Sequence, residues 1–339
     1  MSSITQYFSI PSSANARWLK QDEFLFLSTE SGVNQIWKGS LLTGEKKQLT
    51  FFSDRVLSLY TSPDKELIFF TMDCKGNEQE QIYQLNAATG EVKAHTCNDK
   101  ARYQIGGLLP DKKTLLYSSN ERNPANFDIC RMDLETGSTS ILVENPDNYN
   151  MPAGLSSDGR YFLYNKLKGQ SDNCLWMLDM VTGETERVHR EGSYAQYLSP
   201  VFTPDNRGFY LLTDFDSEYV YLAYYDLTHR KLEKVYEESW DLERIALCRD
   251  GRYLAVLINR DGYSSLEIME VKSRSFINIP RPPKGVMGYY YLDWSLSGHK
   301  LLFTITSGKR PAGVWLLDMD EDQVKRLSHA SLQGIGQEE

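Results

Sequence analysis

Cysteine is scarce in this chain, basic charge is in the minority, and long apolar runs are missing; each shortage removes a class of protein. The five cysteines, Cys74, Cys97, Cys130, Cys174 and Cys248, are odd in number and form no CxxC pair. A disulfide framework is therefore not expected in so long a chain, and reduced thiols fit best. Cys130, Cys174 and Cys248 sit in strand-like runs, where a free thiol acts as a small apolar group. Lysine and arginine total 37 against 46 acidic residues, a net charge of -9. Nucleic acid and anionic membranes both need a basic face, so neither is expected as a partner. No apolar stretch reaches the ~18 residues of a membrane span. Residues 1–11 lack the basic-then-apolar order of a secretory leader. A soluble, cytoplasmic protein is expected. Low-complexity tracts are absent, and no segment of ten or more residues carries a convincing 3.6-residue period.

What is present is repetition. A tight-turn signature recurs at Ser62-Pro63-Asp64, Leu109-Pro110-Asp111, Ser156-Ser157-Asp158-Gly159, Thr203-Pro204-Asp205, Arg249-Asp250-Gly251 and Ser295-Leu296-Ser297-Gly298, with Gln21-Asp22 as a degenerate first copy. From Asp22 through Asp64, Asp111, Asp158, Asp205 and Asp250 to Ser297 the intervals are 42, 47, 47, 47, 45 and 47 residues. Pro and Asp suit the early positions of a β-turn, and Gly the position needing positive φ. About 20 residues on, an apolar strand runs into Thr43-Gly44-Glu45, Thr89-Gly90-Glu91, Thr136-Gly137 and Thr182-Gly183-Glu184; the last three copies keep the strand and lose the Thr-Gly. Alternating strands are expected between the markers, at 23–28, 67–72, 114–118, 161–165, 208–213, 253–258 and 300–306. Twenty-one tyrosines and 12% aromatics favour such half-buried pleated surfaces.

Four short strands in each of seven ~46-residue copies is the pattern of an all-β, seven-bladed β-propeller with four antiparallel strands per blade. A β-sandwich does not predict a constant long period. Leu19, Thr61, Leu108, Leu155, Phe202, Leu247 and Trp294 align on the innermost strands and should pack between blades, with the small Gly107, Gly154 and Ala246 relieving crowding at the axis. Every copy holds its own four strands, so the first and last blades should meet by side-chain packing, a weaker closure than a shared sheet. The tight turns should share one face. The other should carry long, variable connections: 73–78, 120–126, 168–173, 214–218 and 260–264 within blades, and 144–150, 191–197, 237–243 and 280–288 between them. Function usually sits on such loops.

Catalytic signatures are thin. No GxSxG elbow occurs; Gly154-Leu155-Ser156-Ser157-Asp158 is a blade turn. His95, His189, His229, His299 and His329 fall at turns or strand ends without metal-ligand spacing. Asp318, Asp320 and Asp322 lack the glycine and distant glutamate of a calcium loop. A channel-centred enzyme needs several acids on the innermost strands, and these offer Asp293 and Glu243 and little else. No cofactor and no metal are expected.

The repeats resemble the N-terminal propeller of the prolyl oligopeptidase family of serine peptidases, above all its acylaminoacyl-peptidase branch. Asp73-x-x-Gly76-Asn77-Glu78-x-x-Gln81-Ile82-Tyr83 is similar to a stretch of that branch's second blade. Arg122-Asn123-Pro124 with Asp128-Ile129, and Leu212 to Glu218, look like its loops; Arg326 to Leu332 resembles the hand-over to the hydrolase domain. The resemblance implies a layout of N-terminal extension (1–13), propeller (14–329) and the start of a linker (330–339). It implies a non-catalytic domain that gates and selects peptides for a covalently linked α/β-hydrolase partner whose Ser, Asp and His this sequence does not contain. Arg55, Arg102, Trp240, Arg260 and Asp261 are the residues offered for that role, by their place on the long-loop face. A free-standing propeller that binds protein or peptide is the alternative, and a channel-centred enzyme the third reading.

Overall fold

Strand pairing in the computed structural model, which describes residues 4–328 apart from 21, 148, 168, 170, 171, 189–194 and 289, follows the repeat. The described strands form four-stranded antiparallel meanders in chain order, spanning 13–48, 56–94, 103–143, 149–187, 197–236, 242–277 and 293–326. Units three and four are joined into one eight-stranded sheet by a parallel bridge between Phe127 and Tyr149. The only helix among the described residues, Ile4–Phe8, precedes the first strand.

Burial explains the composition of each strand. Second strands such as Ile68–Met72 and Gly208–Thr213 are buried along their whole length. They are covered by neighbouring units on both faces, so their sequences run apolar instead of alternating. The outer strands Lys46–Gln48, Val92–Ala94, Thr185–Arg187 and Ser275–Ile277 are only three residues long and have no buried residue. Short, polar edges of this kind discourage pairing with other chains.

The turn between first and second strands is held by its own side chains. Ser62, Ser156 and Thr203 donate hydroxyl hydrogen bonds to Asp64, Asp158 and Asp205, whose carboxylates accept the amides of Glu66, Arg160 and Arg207. In unit six Cys248 takes the serine position: its thiol donates to Asp250 at 2.8 Å and its sulfur accepts the Tyr253 amide at 3.0 Å. The left-handed residue of this turn is Gly159, Gly251 and Gly298 in three units, but Lys65, Lys112 and Asn206 in three others. In the third-to-fourth turn the threonine hydroxyls of Thr43, Thr89, Thr136 and Thr182 accept the amide two residues on, and Gly44, Gly90, Gly137 and Gly183 take positive φ. Where the Thr-Gly is lost, Arg230, Arg274 and Asp322 adopt the same conformation.

The apolar core is divided among the seams between units. Leu25, Ile36, Leu59 and Phe70 cluster between units one and two, and Phe69, Tyr103 and Tyr117 between two and three. Ile129, Phe162 and Tyr164 fill the next seam, followed by Leu175, Phe209 and Tyr221, then Leu222, Leu254 and Met269, then Leu257, Ile268, Trp294 and Phe303. A last cluster of Ala16, Trp18, Phe24, Phe26, Leu302, Val314 and Leu316 joins unit seven back to unit one. A chain of sheets whose last seam returns to the first is a closed ring, the propeller architecture. Crowding at the seams is direct: a Cβ on Gly107 would stand 3.1 Å from Leu155, and one on Gly154 would stand 3.3 Å from the Pro200 carbonyl.

Closure combines packing with a polar clamp. Units one and seven share no sheet. Asp293 instead accepts the Trp18 amide at 2.7 Å and the Lys65 ammonium at 2.9 and 3.0 Å, while its own carbonyl accepts the Trp18 indole N–H at 3.0 Å. One carboxylate thus ties unit seven to units one and two.

Several connections differ from expectation. The 120–126 and 260–264 segments are not long loops. The strands run on to Asn123 and Arg260 and resume at Asn126 and Tyr263, leaving two-residue turns. Asp261 and Gly262 have φ of 56° and 77°, the paired positive values that an Asp-Gly hairpin supplies and that match the strand twist. The expected 168–173 and 191–197 loops lie largely outside the described residues, as do His189, His329, residues 329–332 of the hand-over stretch and the 330–339 segment.

Candidate functional site

Arg55, Arg102 and Trp240 stand just before the first strands Val56–Thr61, Tyr103–Leu108 and Leu242–Leu247, while Arg260 and Asp261 are at a second-to-third turn. Up-and-down connectivity therefore puts all five on the face opposite the tight turns. The structure does not bring them to one point. Arg260 and Asp261 share a cavity, a groove of ≈390 Å³ whose walls include Tyr263, Ile279, Lys284 and Met287. Trp240, 41% exposed, lies on the same inter-unit connection as Glu238, a partner of Arg260.

Three of the arginines are already engaged. Arg260 donates to Glu238 at 2.7 Å and to Glu267 at 2.7 Å, and the Glu238 hydrogen bond above all pushes its pKa above the ordinary arginine value. Arg102 pairs with Glu80 at 2.6 Å, and Glu80 also accepts the Thr71 hydroxyl at 2.7 Å. Arg55 is 3.7 Å from the carboxylate of Asp73, which is 1% exposed. Arg122, not among the residues offered for the face, does the same work in unit three: it grips Asp128 with two N–H groups at 2.7 and 2.9 Å and donates to the Asn145 carbonyl at 2.9 Å. These fork-shaped contacts stiffen the connections from inside. They hold the loop face in shape; Trp240, Asp261 and Arg55, whose side chain is 56% exposed, are its exposed groups.

The remaining chemistry is structural. His95 sits 2.9 Å from the Gln84 amide oxygen, and burial, with help from Lys93, lowers its pKa to about 4, so it is neutral at pH 7. His229 and His299 face Asp226 and Asp320 across exposed turns. Asp318 is buried and accepts the Asp320 and Glu321 amides, a turn-capping role. Among the described residues no hydrogen bond joins a serine or cysteine to a histidine, and no three His, Cys, Asp or Glu converge as metal ligands. No helix among the described residues is long and apolar enough to cross a membrane. A cavity of ≈640 Å³ lies where units four and five meet near Glu186, Tyr225 and Arg230.

Fold and site together define a β-propeller with a braced loop face. The family profile "Prolyl oligopeptidase, N-terminal beta-propeller domain" matches residues 47–330, and the chain belongs to that family. Dipeptidyl aminopeptidase BIII of Pseudoxanthomonas mexicana is 25% identical over 160 residues, which is 46% of this chain and 23% of that protein. Among solved structures, a prolyl endopeptidase superposes with TM-score 0.76 at 15% identity, covering 96% of this chain and 50% of its own. A Mycobacterium tuberculosis puromycin-hydrolyzing peptidase gives 0.76 at 14%, covering 94% and 53%. An oligogalacturonate lyase in complex with manganese gives 0.70 at 12%, covering 91% and 90%. The chain thus spans about half of those two peptidases and almost all of the lyase.

Proposed function

We propose that this propeller gates access to, and helps select peptides for, a serine peptidase catalytic domain of the α/β-hydrolase type, in an acylaminoacyl-peptidase-like or prolyl-oligopeptidase-like enzyme. The observation that carries the reading is the family match over 47–330 in a chain that spans about half of the similar peptidases. A closed ring supports it physically: a rim that cannot open without breaking a core seam excludes folded proteins and admits thin, extended chains. The braced loop face supports it as well, because preformed surfaces lose less entropy on docking a partner domain. Five unpaired cysteines, Cys74 and Cys97 among them exposed, suit a reducing cytoplasm.

Two measurements test the reading. The 339-residue chain alone should not hydrolyse acyl-aminoacyl, aminoacyl or prolyl chromogenic substrates. A gene product carrying this propeller and a hydrolase domain should cleave short peptides and spare folded proteins, a limit that disappears when the propeller is deleted. Turnover by the isolated chain would refute the proposal.

A further inference from the structure

The inner rim gathers more cations than carboxylates. Arg17, on the first strand of unit one, and Arg244, on the first strand of unit six, both lie against the ring of Tyr291, which leads into the first strand of unit seven. Their guanidinium carbons are 4.0 and 5.4 Å from that ring's centroid, so the two cations are no further apart than the sum of those distances. Each is anchored by a single backbone contact: Arg17 Nε donates to the Leu59 carbonyl at 3.2 Å, and Arg244 Nε to the Gly288 carbonyl at 3.1 Å. Arg244 forms no ion pair among the described residues; burial lowers its pKa, Arg17 adds to this, and Tyr291 and Glu243 oppose it.

Two carboxylates lie nearby. Asp293 is 3.9 Å from Arg17, but Lys65 and the Trp18 amide hold it. Glu243 accepts the Ser264 hydroxyl at 2.6 Å. Three cations therefore face two carboxylates, a local positive surplus in a protein whose net charge is -9. A guanidinium has five N–H donors in a planar fork, and here only one nitrogen of each is used. Tyr291 is 41% exposed, while Arg17 and Arg244 are part-buried against it. Two half-used forks held near each other on an aromatic ring form a receptor for a carboxylate.

We propose that Arg17 and Arg244, oriented by Tyr291, bind a carboxylate of a peptide at the inner rim. The inference rests on the peptide-selecting reading and deepens it by naming the substrate class as peptides with an accessible negative charge. The test is equilibrium titration of the 339-residue chain with acetyl-Ala-Ala-Phe-Ala as free acid, with its C-terminal amide, with acetyl-Ala-Glu-Ala-amide and with inorganic phosphate. At least one carboxylate peptide should bind tenfold or more tighter than the uncharged amide; which one does so separates a terminal from a side-chain carboxylate. Arg244→Gln and Arg17→Gln should each remove that preference. If either variant melts out, Tyr291→Ala changes an exposed ring and should still weaken carboxylate binding severalfold. Equal binding of acid and amide, or an unchanged preference in Arg244→Gln, would overturn the proposal. So would phosphate binding without peptide binding, which assigns the forks to a free anion. This titration needs no catalytic domain, so it fails independently of the gating reading.

Discussion

Removing the Asp293 carboxylate should cost the ring more than any comparable polar change at an interior seam. Its side chain and that of Lys65 are 13% and 10% exposed, and they meet at 2.9 Å. Asp293→Ala strands the Lys65 ammonium in a largely buried site and leaves the Trp18 amide without its acceptor. Breaking one side of a buried pair costs about 3–5 kcal/mol. Partial exposure brings the expectation to roughly 3–4 kcal/mol. At roughly 2.1 cal/mol/K of unfolding entropy per residue, a chain of this size loses about 1–2 °C in Tm per kcal/mol. Heat is therefore the weaker probe, and urea midpoints with a fixed slope are the better one. The double variant Asp293→Ala with Lys65→Met removes the orphaned charge and should recover at least half of the loss. For comparison, Tyr60→Phe deletes the hydroxyl that accepts the Leu108 amide between units two and three and should cost about 1 kcal/mol. A loss below about 1 kcal/mol for Asp293→Ala, or no recovery in the double variant, would refute the clamp.

His95 should make stability depend on pH: its folded pKa is lowered to about 4 from 6.5, so the unfolded chain binds the proton first and stability falls as pH drops from about 6.5 to 4. Allowing for its partial exposure, the contribution is about 1–2 kcal/mol, and His95→Gln should flatten that part of the profile in urea titrations. Cys248→Ser should stay within about 1 kcal/mol of the parent because serine fills this turn position elsewhere, whereas Cys248→Ala should cost about 1–2 kcal/mol. Thiol titration should find Cys74 and Cys97 fast, and Cys130 and Cys248 slow until unfolding, since burial raises those two pKa values to about 12 and about 11. Asp322→Gly should stabilise by about 0.5 kcal/mol, because Asp322 holds φ of 48° where four other units use glycine. An unchanged or lowered urea midpoint would contradict this.

The periodic turns were legible before any coordinates because their causes are local. A hydroxyl, a carboxylate two residues on and a residue tolerant of positive φ lie within one turn, so the sequence alone spaces the meanders and implies an all-β ring. The sequence motif of 73–83 and its companions also pointed to the family. The Asp261-Gly262 hairpin was equally local; its dipeptide signal was present and was read as a longer loop. What the tertiary structure alone decided is every relation across a seam. Lys65 and Trp18 meet Asp293 from 228 and 275 positions away, and nothing in the neighbourhood of Asp293 in the chain marks it as the closing contact. For the same reason the bracing of Arg55, Arg102 and Arg260 by Asp73, Glu80, Glu238 and Glu267 is not written in their neighbours, nor is the meeting of Arg17 and Arg244 on the Tyr291 ring. Turn chemistry is written in neighbours; ring closure and charge balance are set by which strands curvature brings together.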